Sequence, residues 1–199
     1  MGERFQPFIL GIGGTARAGS TSERALRLAL DAAERLGART QMLDGPFITR
    51  LPLYAPEQTE RTDEERALVA AVQQAHGVIV ATPGYHGSLS GPLKNALDLI
   101  EDTARADRVY LEGCAFGAIV TAYGWQACGT TLVTLRSIGH ALRAWPTPYG
   151  ATLNATTPLF DKATGAALDP KIEAQLAMVA EQVVSFARWR SAGLAADAL

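Results

Sequence analysis

The stretch that decides the fold is GVIVATPGYHGSLSGPLKNALDLI, residues 77–100, in which a strand, a loop and a helix follow one another. It opens on an almost continuously apolar run, which is typical of a central parallel strand buried on both faces. From Leu93 onward the apolar residues recur at helical spacing, and Pro92 suits the first turn of a helix. The loop at residues 83–91 therefore connects the carboxyl end of a buried strand to a helix.

The same alternation of strand and helix recurs along the whole chain. It predicts a doubly wound parallel α/β sheet of five strands, with helices on both faces and right-handed crossovers. The predicted strands cover residues 8–13, 39–43, 77–82, 114–122 and a short segment around 144–153. The predicted helices cover residues 21–36, 63–76, 93–100 and 130–142, and a last helix begins at Asp169-Pro170.

Ligands of such sheets bind beyond the carboxyl ends of the strands. The loops in which to look for function are therefore residues 13–22, 83–91 and 122–129. The Pro-rich segment after the second strand is expected to lie at the surface, where it could border the same site.

Composition narrows the class of protein. The 199 residues fit a single domain that covers residues 1–199, with a tail at 191–199 that is expected to fray. A formal net charge of −2 without a basic run argues against nucleic-acid binding, and no apolar stretch is long enough for a membrane span. Two cysteines, Cys114 and Cys128, are too few for a disulfide framework and favour a reducing cytoplasm. No His, Cys, Asp or Glu cluster has metal-ligand spacing.

The first strand-end loop is GIGGTARAGSTS, residues 11–22. It resembles two known nucleotide-binding motifs, but its spacing and residues disfavour both. It formally matches the dinucleotide fingerprint G-x-G-x-x-A, but its helix cannot easily begin before Ser20, and the next strand-end acid, Asp44, is too far along the chain. The spacing of Gly14 and Gly19 also resembles a P-loop. Ser20, however, stands where that motif needs a lysine for the phosphates, so NTPase activity is disfavoured.

A third interpretation, a site for a terminal phosphate, fits the loop better. Hydroxyl groups at Thr15, Ser20, Thr21 and Ser22 surround Arg17, immediately before the amino terminus of a helix. A phosphomonoester is a dianion that hydroxyls, backbone N–H groups and the helix dipole can surround, while a guanidinium supplies a charged fork. Capping the helix would need only one of these hydroxyls, so four of them beside an arginine favour phosphate binding.

Together the two loops resemble those of the NADPH-dependent FMN reductase family. The family's phosphate loop reads roughly G-S-x-R-x-G-S-x-N, and residues 14–22 follow it with Thr and Ser substitutions. Its flavin loop reads roughly P-E-Y-N-x-S-x-x-G-x-L-K-N-A-x-D, and residues 83–98 follow it with Gly84 in place of Glu and His86 in place of Asn. The run LFDKATGAALD, residues 159–169, is also similar to the family's segment before its last helix.

The resemblance implies a flavodoxin-like fold, an FMN cofactor, and NADPH or NADH as the electron donor. The expected activity is hydride transfer from nicotinamide to FMN, followed by reduction of free flavin for a monooxygenase, or of a quinone, an azo dye or chromate. It also implies a homodimer or homotetramer with the helix from Leu93 at the interface. A flavodoxin-like electron carrier without substrate turnover stays open as the alternative, although such carriers are usually strongly acidic.

The residues expected to contact FMN come from all three strand-end loops. No catalytic acid or base is assigned, because hydride transfer depends on positioning rather than on a protein-borne proton. Backbone donors, close approach at the glycines and the apolar surface of Tyr85 suit a flat isoalloxazine ring, while His86 could equally be a solvated loop residue. Cys128 is expected to be a buried thiol. The expected contacts are Thr15, Arg17, Ser20, Thr21 and Ser22, then Pro83, Gly84, Tyr85, His86, Gly87 and Ser88, and finally Tyr123 and Gly124.

Overall fold

The structure, a computed structural model, describes residues 5–196 and contains one parallel sheet at its centre. The strand order is β2-β1-β3-β4-β5, and β6 pairs with β4 farther along the same edge. All the paired strands run parallel, as the alternating sequence pattern predicted. The strands are β1 Phe8–Gly13, β2 Arg39–Leu43, β3 Gly77–Pro83, β4 Ala115–Ala122, β5 Trp145–Pro146 and β6 Ala151–Asn154.

Helices cover both faces of the sheet, so the predicted doubly wound architecture is confirmed. The first and last helices share one apolar core with the sheet, and the other helices share a second core on the opposite face. The helices are α1 Thr21–Arg35, α2 Gly45–Ile48, α3 Asp63–Gln74, α4 Gly91–Asp98, α5 Trp125–Ala141 and α6 Pro170–Ala196, and a 3₁₀ turn at Leu99–Thr103 continues α4.

The first helix begins and ends where the sequence predicted. The Oγ of Ser20 accepts a hydrogen bond from the backbone N–H of Glu23 at 3.4 Å, which caps α1 at its amino terminus. Gly37 follows the carboxyl end with a φ of 87°, a conformation that glycine adopts at little cost. The sheet-facing side of α1 is made largely of alanine and leucine, so the helix can lie close to the strands.

The predicted fifth strand is divided into two short pieces, β5 and β6, which lie along the same neighbour, β4. Thr147 still donates its N–H to the carbonyl of Phe116 at 3.0 Å, so the chain follows β4 for one residue beyond β5. Pro148 comes next and has no N–H to donate, which interrupts the ladder until Ala151.

The fourth long helix begins earlier than predicted, which shortens the third strand-end loop. The sequence predicted a loop at residues 122–129 and a helix from Thr130, whereas α5 begins at Trp125. The turn is tight because Gly124 has a φ of 109°, and the Oδ1 of Asn154 accepts its N–H at 3.0 Å. A glycine held by a distant side chain therefore replaces the longer loop.

The last helix continues through Ala196, beyond Arg190, where the sequence predicted that a frayed tail begins. Residues 197–199 of that predicted tail lie outside the described residues. Although α6 is the longest helix described, neither it nor any other helix within residues 5–196 is both long and apolar enough to cross a bilayer.

The close packing of α6 on the sheet depends on a glycine in the middle of β4. A Cβ at Gly117 would lie 2.7 Å from Cγ1 of Val179 and 2.9 Å from Cγ2 of Val183. Valine has a high strand propensity, yet Gly117→Val should lower the free energy of unfolding by about 1–3 kcal/mol, because overpacking outweighs propensity here. Urea denaturation measures the difference.

Gly129→Ala is the control for this prediction, because a Cβ at Gly129 in α5 meets nothing within 4 Å. That variant should be as stable as the wild type or more stable by up to about 1 kcal/mol, since alanine favours a helix over glycine. A Gly117→Val protein of wild-type stability would contradict the close packing of α6 on β4.

Candidate functional site

Two loops leave the sheet side by side at the carboxyl ends of β1 and β3. Gly13 and Ala81 are partners in the strand register, and the N–H of Gly14 donates to the carbonyl of Ala81 at 3.1 Å. A Cβ at Gly13 would lie only 2.0 Å from that carbonyl oxygen, and its φ is 152°, so this contact requires glycine. The loop at residues 14–20 and the loop at residues 84–90 therefore start next to each other.

The first loop ends in an amino-terminal turn with free donors. Ser20 and Ser22 are 3% and 1% exposed, and their Oγ atoms lie 3.5 Å apart below the loop. The N–H of Arg17 donates to Oγ1 of Thr15 at 3.3 Å, which folds the loop back, while the Arg17 guanidinium is exposed. Within residues 5–196, the backbone N–H groups of Thr21 and Ser22 have no hydrogen-bond partner. These donors suit an anion at the helix terminus.

The short helix α2 supports this loop from the side. A Cβ at Gly45 would lie 1.7 Å from the carbonyl oxygen of Thr15, so the two segments touch through bare backbone. Asp44 caps α2, because its Oδ1 accepts the N–H of Phe47 at 2.9 Å. The sequence predicted only a Pro-rich loop here, although the Asp-Gly-Pro run carries the signal of a capped helix start.

The second loop contains a tight two-residue turn. Tyr85 and Ser88 exchange backbone hydrogen bonds of 2.9 and 3.0 Å, and between them His86 and Gly87 have φ values of 52° and 82°. Positive φ at both central residues is typical of a type I′ turn, and histidine is among the few residues enriched at positive φ. His86, which stands where the family pattern has Asn, is therefore compatible with this turn. The N–H groups of His86 and Gly87 have no partner within the described chain.

Both ends of the second loop are fixed to the sheet. Gly84 donates its N–H to the carbonyl of Thr121 at 2.8 Å, and Ser90 donates its N–H to Oγ1 of Thr82 at 2.9 Å. A Cβ at Gly84 would lie 2.9 Å from Oγ1 of Thr131. The space that a glutamate would need in the family pattern is filled by α5.

These loops enclose a cavity of about 480 Å³, which is within the size range of small-ligand sites. It brings together nine of the predicted residues: Thr15, Arg17, Ser20, Thr21, Ser22, Pro83, Gly84, Tyr85 and Tyr123. Four predicted contacts, His86, Gly87, Ser88 and Gly124, do not line it. His86, Gly87 and Ser88 belong to the turn that follows Tyr85, so their contact with a ligand stays a prediction.

Six further residues line the cavity and were missed as contacts: Ala16, Ser90, Pro92, Thr121, Ala122 and Ala155. Ser90 lies inside the loop that the sequence singled out, and its buried Oγ has no partner within residues 5–196. Ala155 follows β6, so the strand-end rule applied to the last strand would have found it. Trp125 lines a different cavity, at the edge of the sheet.

The lining of the cavity combines one charge with aromatic surface. Arg17 is its only charged lining residue, and it belongs to the loop at residues 14–20, which we call the anion loop. Tyr85 and Tyr123 come from the other two strand-end loops and are 55% and 83% exposed, which presents aromatic surface at the opening. This arrangement fits FMN, because a dianion can bind at the helix terminus while a flat, uncharged ring lies against Tyr85 and the first residues of the second loop.

The thiol near this site is buried, and the described residues hold no metal cluster. Cys128 is fully buried and lies 3.6 Å from the carbonyl oxygen of Leu153, and burial raises the pKa of its thiol. The expectation of a buried thiol is therefore confirmed. Within the described part of the chain, no group of three or more His, Cys, Asp or Glu residues could hold a metal ion.

Gly84→Ala should destabilise the protein by about 1–3 kcal/mol, because its Cβ would press on Oγ1 of Thr131 and on Ala122 at 3.0 Å. The free energy of unfolding in urea measures this loss. The matched variant Gly91→Ala places a Cβ in open space at the start of α4 and should cost nothing. If the two variants are equally stable, α5 does not confine the loop at Gly84.

Sequence comparisons place the chain in a known group. The family model described as NADPH-dependent FMN reductase matches residues 7–157, which is more than half of the chain. The NADPH azoreductase of Bacillus sp. (strain OY1-2) is 42% identical over 57 residues. That match spans 28% of this chain and about a third, 32%, of the azoreductase.

Solved structures show the same fold at low sequence identity. The flavoenzyme NAD(P)H:(acceptor) oxidoreductase FerB from Paracoccus denitrificans is 18% identical with a TM-score of 0.75, over 92% of this chain and 98% of that one. The NADH:FMN oxidoreductase EmoB is 18% identical with a TM-score of 0.67, over 90% of this chain and 89% of that one. The chain belongs to the NADPH-dependent FMN reductase family.

Proposed function

We propose that the protein holds FMN in the cavity at the carboxyl ends of β1, β3 and β4, where a nicotinamide nucleotide reduces it. The observation that carries this proposal is the union, in one cavity of about 480 Å³, of an anion loop and an aromatic rim beside a turn with two free N–H donors. Each feature alone is common, whereas the pair matches the two ends of FMN.

The FMN phosphate would bind at the amino terminus of α1. The N–H groups of Thr21 and Ser22 and the hydroxyl of Ser20 face this end, where the helix dipole favours an anion. Arg17 would close over the phosphate, since its guanidinium is exposed and has no hydrogen-bond partner within residues 5–196. The chain thus supplies one full positive charge and several neutral donors.

The isoalloxazine ring would lie against the second loop. The free N–H groups of His86 and Gly87 would donate to ring carbonyl oxygens, and the partnerless Oγ of Ser90 lies beside the same wall. Tyr85 would cover one edge of the ring, and its exposure leaves room for a second planar molecule. A buried hydroxyl without a partner costs stability, which a ligand that accepts its hydrogen bond would offset.

When bound, FMN supplies the hydride acceptor and passes the electrons to a second substrate. The chain's own contribution is positioning, because no Asp, Glu, His or Lys lines the cavity to move a proton. The two loops fix one side of the site, and Tyr123 borders the side that faces solvent. We therefore assign no catalytic acid or base.

The physiological acceptor is proposed only as a class: free flavin for a monooxygenase, a quinone, an azo dye or chromate. The local similarity to an azoreductase makes an azo dye the first acceptor to test.

A homodimer or homotetramer through α4 is part of the proposal. It is supported by Leu53, which is 85% exposed next to Pro52, whose carbonyl oxygen accepts a hydrogen bond from Asn95 of α4 at 2.8 Å.

Anaerobic titration of the FMN-loaded protein with NADH and with NADPH tests the activity. We expect at least one nucleotide to bleach the flavin absorbance within seconds, at a typical enzyme turnover of about 1 per second or faster. A bound flavin that neither nucleotide reduces would instead favour an electron carrier, although a net charge of −2 is mild for such a protein.

Arg17→Ala should weaken FMN binding about 10- to 150-fold relative to riboflavin binding, because a charge-assisted hydrogen bond to the phosphate is lost. Fluorescence quenching of each flavin gives the two dissociation constants. Arg27→Ala removes an exposed arginine on the same helix that lines no described cavity, and it should change neither constant. Equal losses for FMN and riboflavin in Arg17→Ala would overturn the phosphate assignment.

A further inference from the structure

A second cavity of about 330 Å³ lies directly beside the first. The two cavities share four lining residues, Arg17, Thr21, Tyr123 and Ala155, so a ligand can extend from one into the other. The far wall of the second cavity is the segment at residues 156–162, which follows β6. Neither the strand-end loops chosen from the sequence nor the FMN site accounts for this wall.

The second cavity is cationic although the protein as a whole is acidic. Arg17, Arg24 and Lys162 line it, and no Asp or Glu does. Within residues 5–196, none of these three cations forms an ion pair. The formal net charge of the chain is −2, so this concentration of positive charge is local. Such a surface attracts anions of high charge.

Arg24 connects the segment after β6 to the anion loop through hydrogen bonds and forms part of the cationic wall. Its Nε donates to the carbonyl of Gly19 at 2.9 Å, its Nη1 to the carbonyl of Asp161 at 2.5 Å, and its Nη2 to the carbonyl of Lys162 at 3.1 Å. Because these partners are neutral carbonyl groups, the guanidinium of Arg24 keeps its full positive charge. Arg24 is thus the positioning residue that holds Lys162 at the cavity.

The carboxylate of Asp161, the residue before Lys162, forms its hydrogen bonds within its own turn. Oδ1 of Asp161 accepts hydrogen bonds within its own turn from the N–H of Thr164 at 2.7 Å, the hydroxyl of Thr164 at 2.8 Å and the N–H of Ala163 at 3.0 Å. These bonds lower the pKa of Asp161, and the residue does not line the cavity. It therefore holds the shape of the turn without placing an acid in the cavity.

Apart from threonine hydroxyls, the remaining surface of the second cavity is apolar and partly aromatic. Tyr123 stands between the two cavities and is 83% exposed, and Pro158, Leu159 and Phe160 line the opposite wall. Flat apolar surface beside cations suits a nucleobase that carries phosphate groups nearby. The cavity thus repeats, in a different arrangement, the combination of anion site and aromatic surface that the first cavity offers to FMN.

We propose that the second cavity binds the 2′-phosphorylated adenosine of NADPH, with Lys162 on the 2′-phosphate and the adenine against Tyr123. This inference rests on the proposed function, in which the nicotinamide of the same molecule lies on the flavin in the first cavity. NADPH and NADH differ only in the 2′-phosphate. Lys162 is therefore the residue by which the protein selects NADPH over NADH.

The direct test is calorimetric binding of adenosine 2′,5′-bisphosphate and of 5′-AMP to the FMN-loaded protein. The wild type should bind the bisphosphate more tightly than 5′-AMP. Lys162→Gln should weaken the bisphosphate about tenfold or more and leave 5′-AMP unchanged, as expected for one charge-assisted contact. Lys162→Arg should retain most of the affinity, and Lys171→Gln, a surface change outside this cavity, should retain all of it.

Steady-state kinetics give the second readout. In Lys162→Gln the KM for NADPH should rise about tenfold, while kcat, the KM for NADH and the dissociation constant of FMN stay at wild-type values. Equal increases in both KM values would overturn the proposal, as would a loss of FMN affinity relative to riboflavin. If neither nucleotide reduces the flavin, the proposed function fails, and bisphosphate binding that does not depend on Lys162 separately rejects the site.

Discussion

The contact between Gly13 and the carbonyl of Ala81 is the constraint on which the site depends. A Cβ at Gly13 would lie 2.0 Å from that oxygen, so any side chain at this position would clash with it. Because β1 and β3 approach this closely at their carboxyl ends, the loop that begins at Gly14 and the loop that begins at Gly84 border one cavity. Because the strands are parallel, both loops leave the same edge of the sheet, and Gly13 allows them to begin next to each other.

The sequence predicted the parts of the fold in which local pattern and tertiary packing agree. The apolar run of β3 and the wide apolar stripe of α1 are each compatible with only one type of secondary structure. The positions of β3 and α1 were therefore predicted within a few residues. The start of α5 and the break between β5 and β6 were not, because the first depends on a side-chain bond from Asn154 and the second on a proline at the sheet edge. Such contacts leave no periodic signal.

The site shows the same division. Most lining residues of the first cavity come from two loops whose composition is unusual, and most of these residues were predicted. The second cavity was missed because its wall at residues 156–162 is brought there by Arg24, a helix residue that no motif marks. Even the motif residue Asn95 acts outside the cavity, since it holds the carbonyl of Pro52 and the N–H of Tyr54, each at 2.8 Å. Part of the family pattern therefore describes scaffold rather than ligand contacts.

The packing of α1 against α6 has a consequence for the order in which the protein matures on the ribosome. The buried face of α1 is covered by residues of α6, and the two helices are separated in the chain by all five of the remaining strands. At about 5–20 residues per second, translation leaves that face without its cover for on the order of ten seconds. A nascent chain that has completed the anion loop still exposes an alanine- and leucine-rich surface, so aggregation and chaperone capture compete with folding until the last helix emerges.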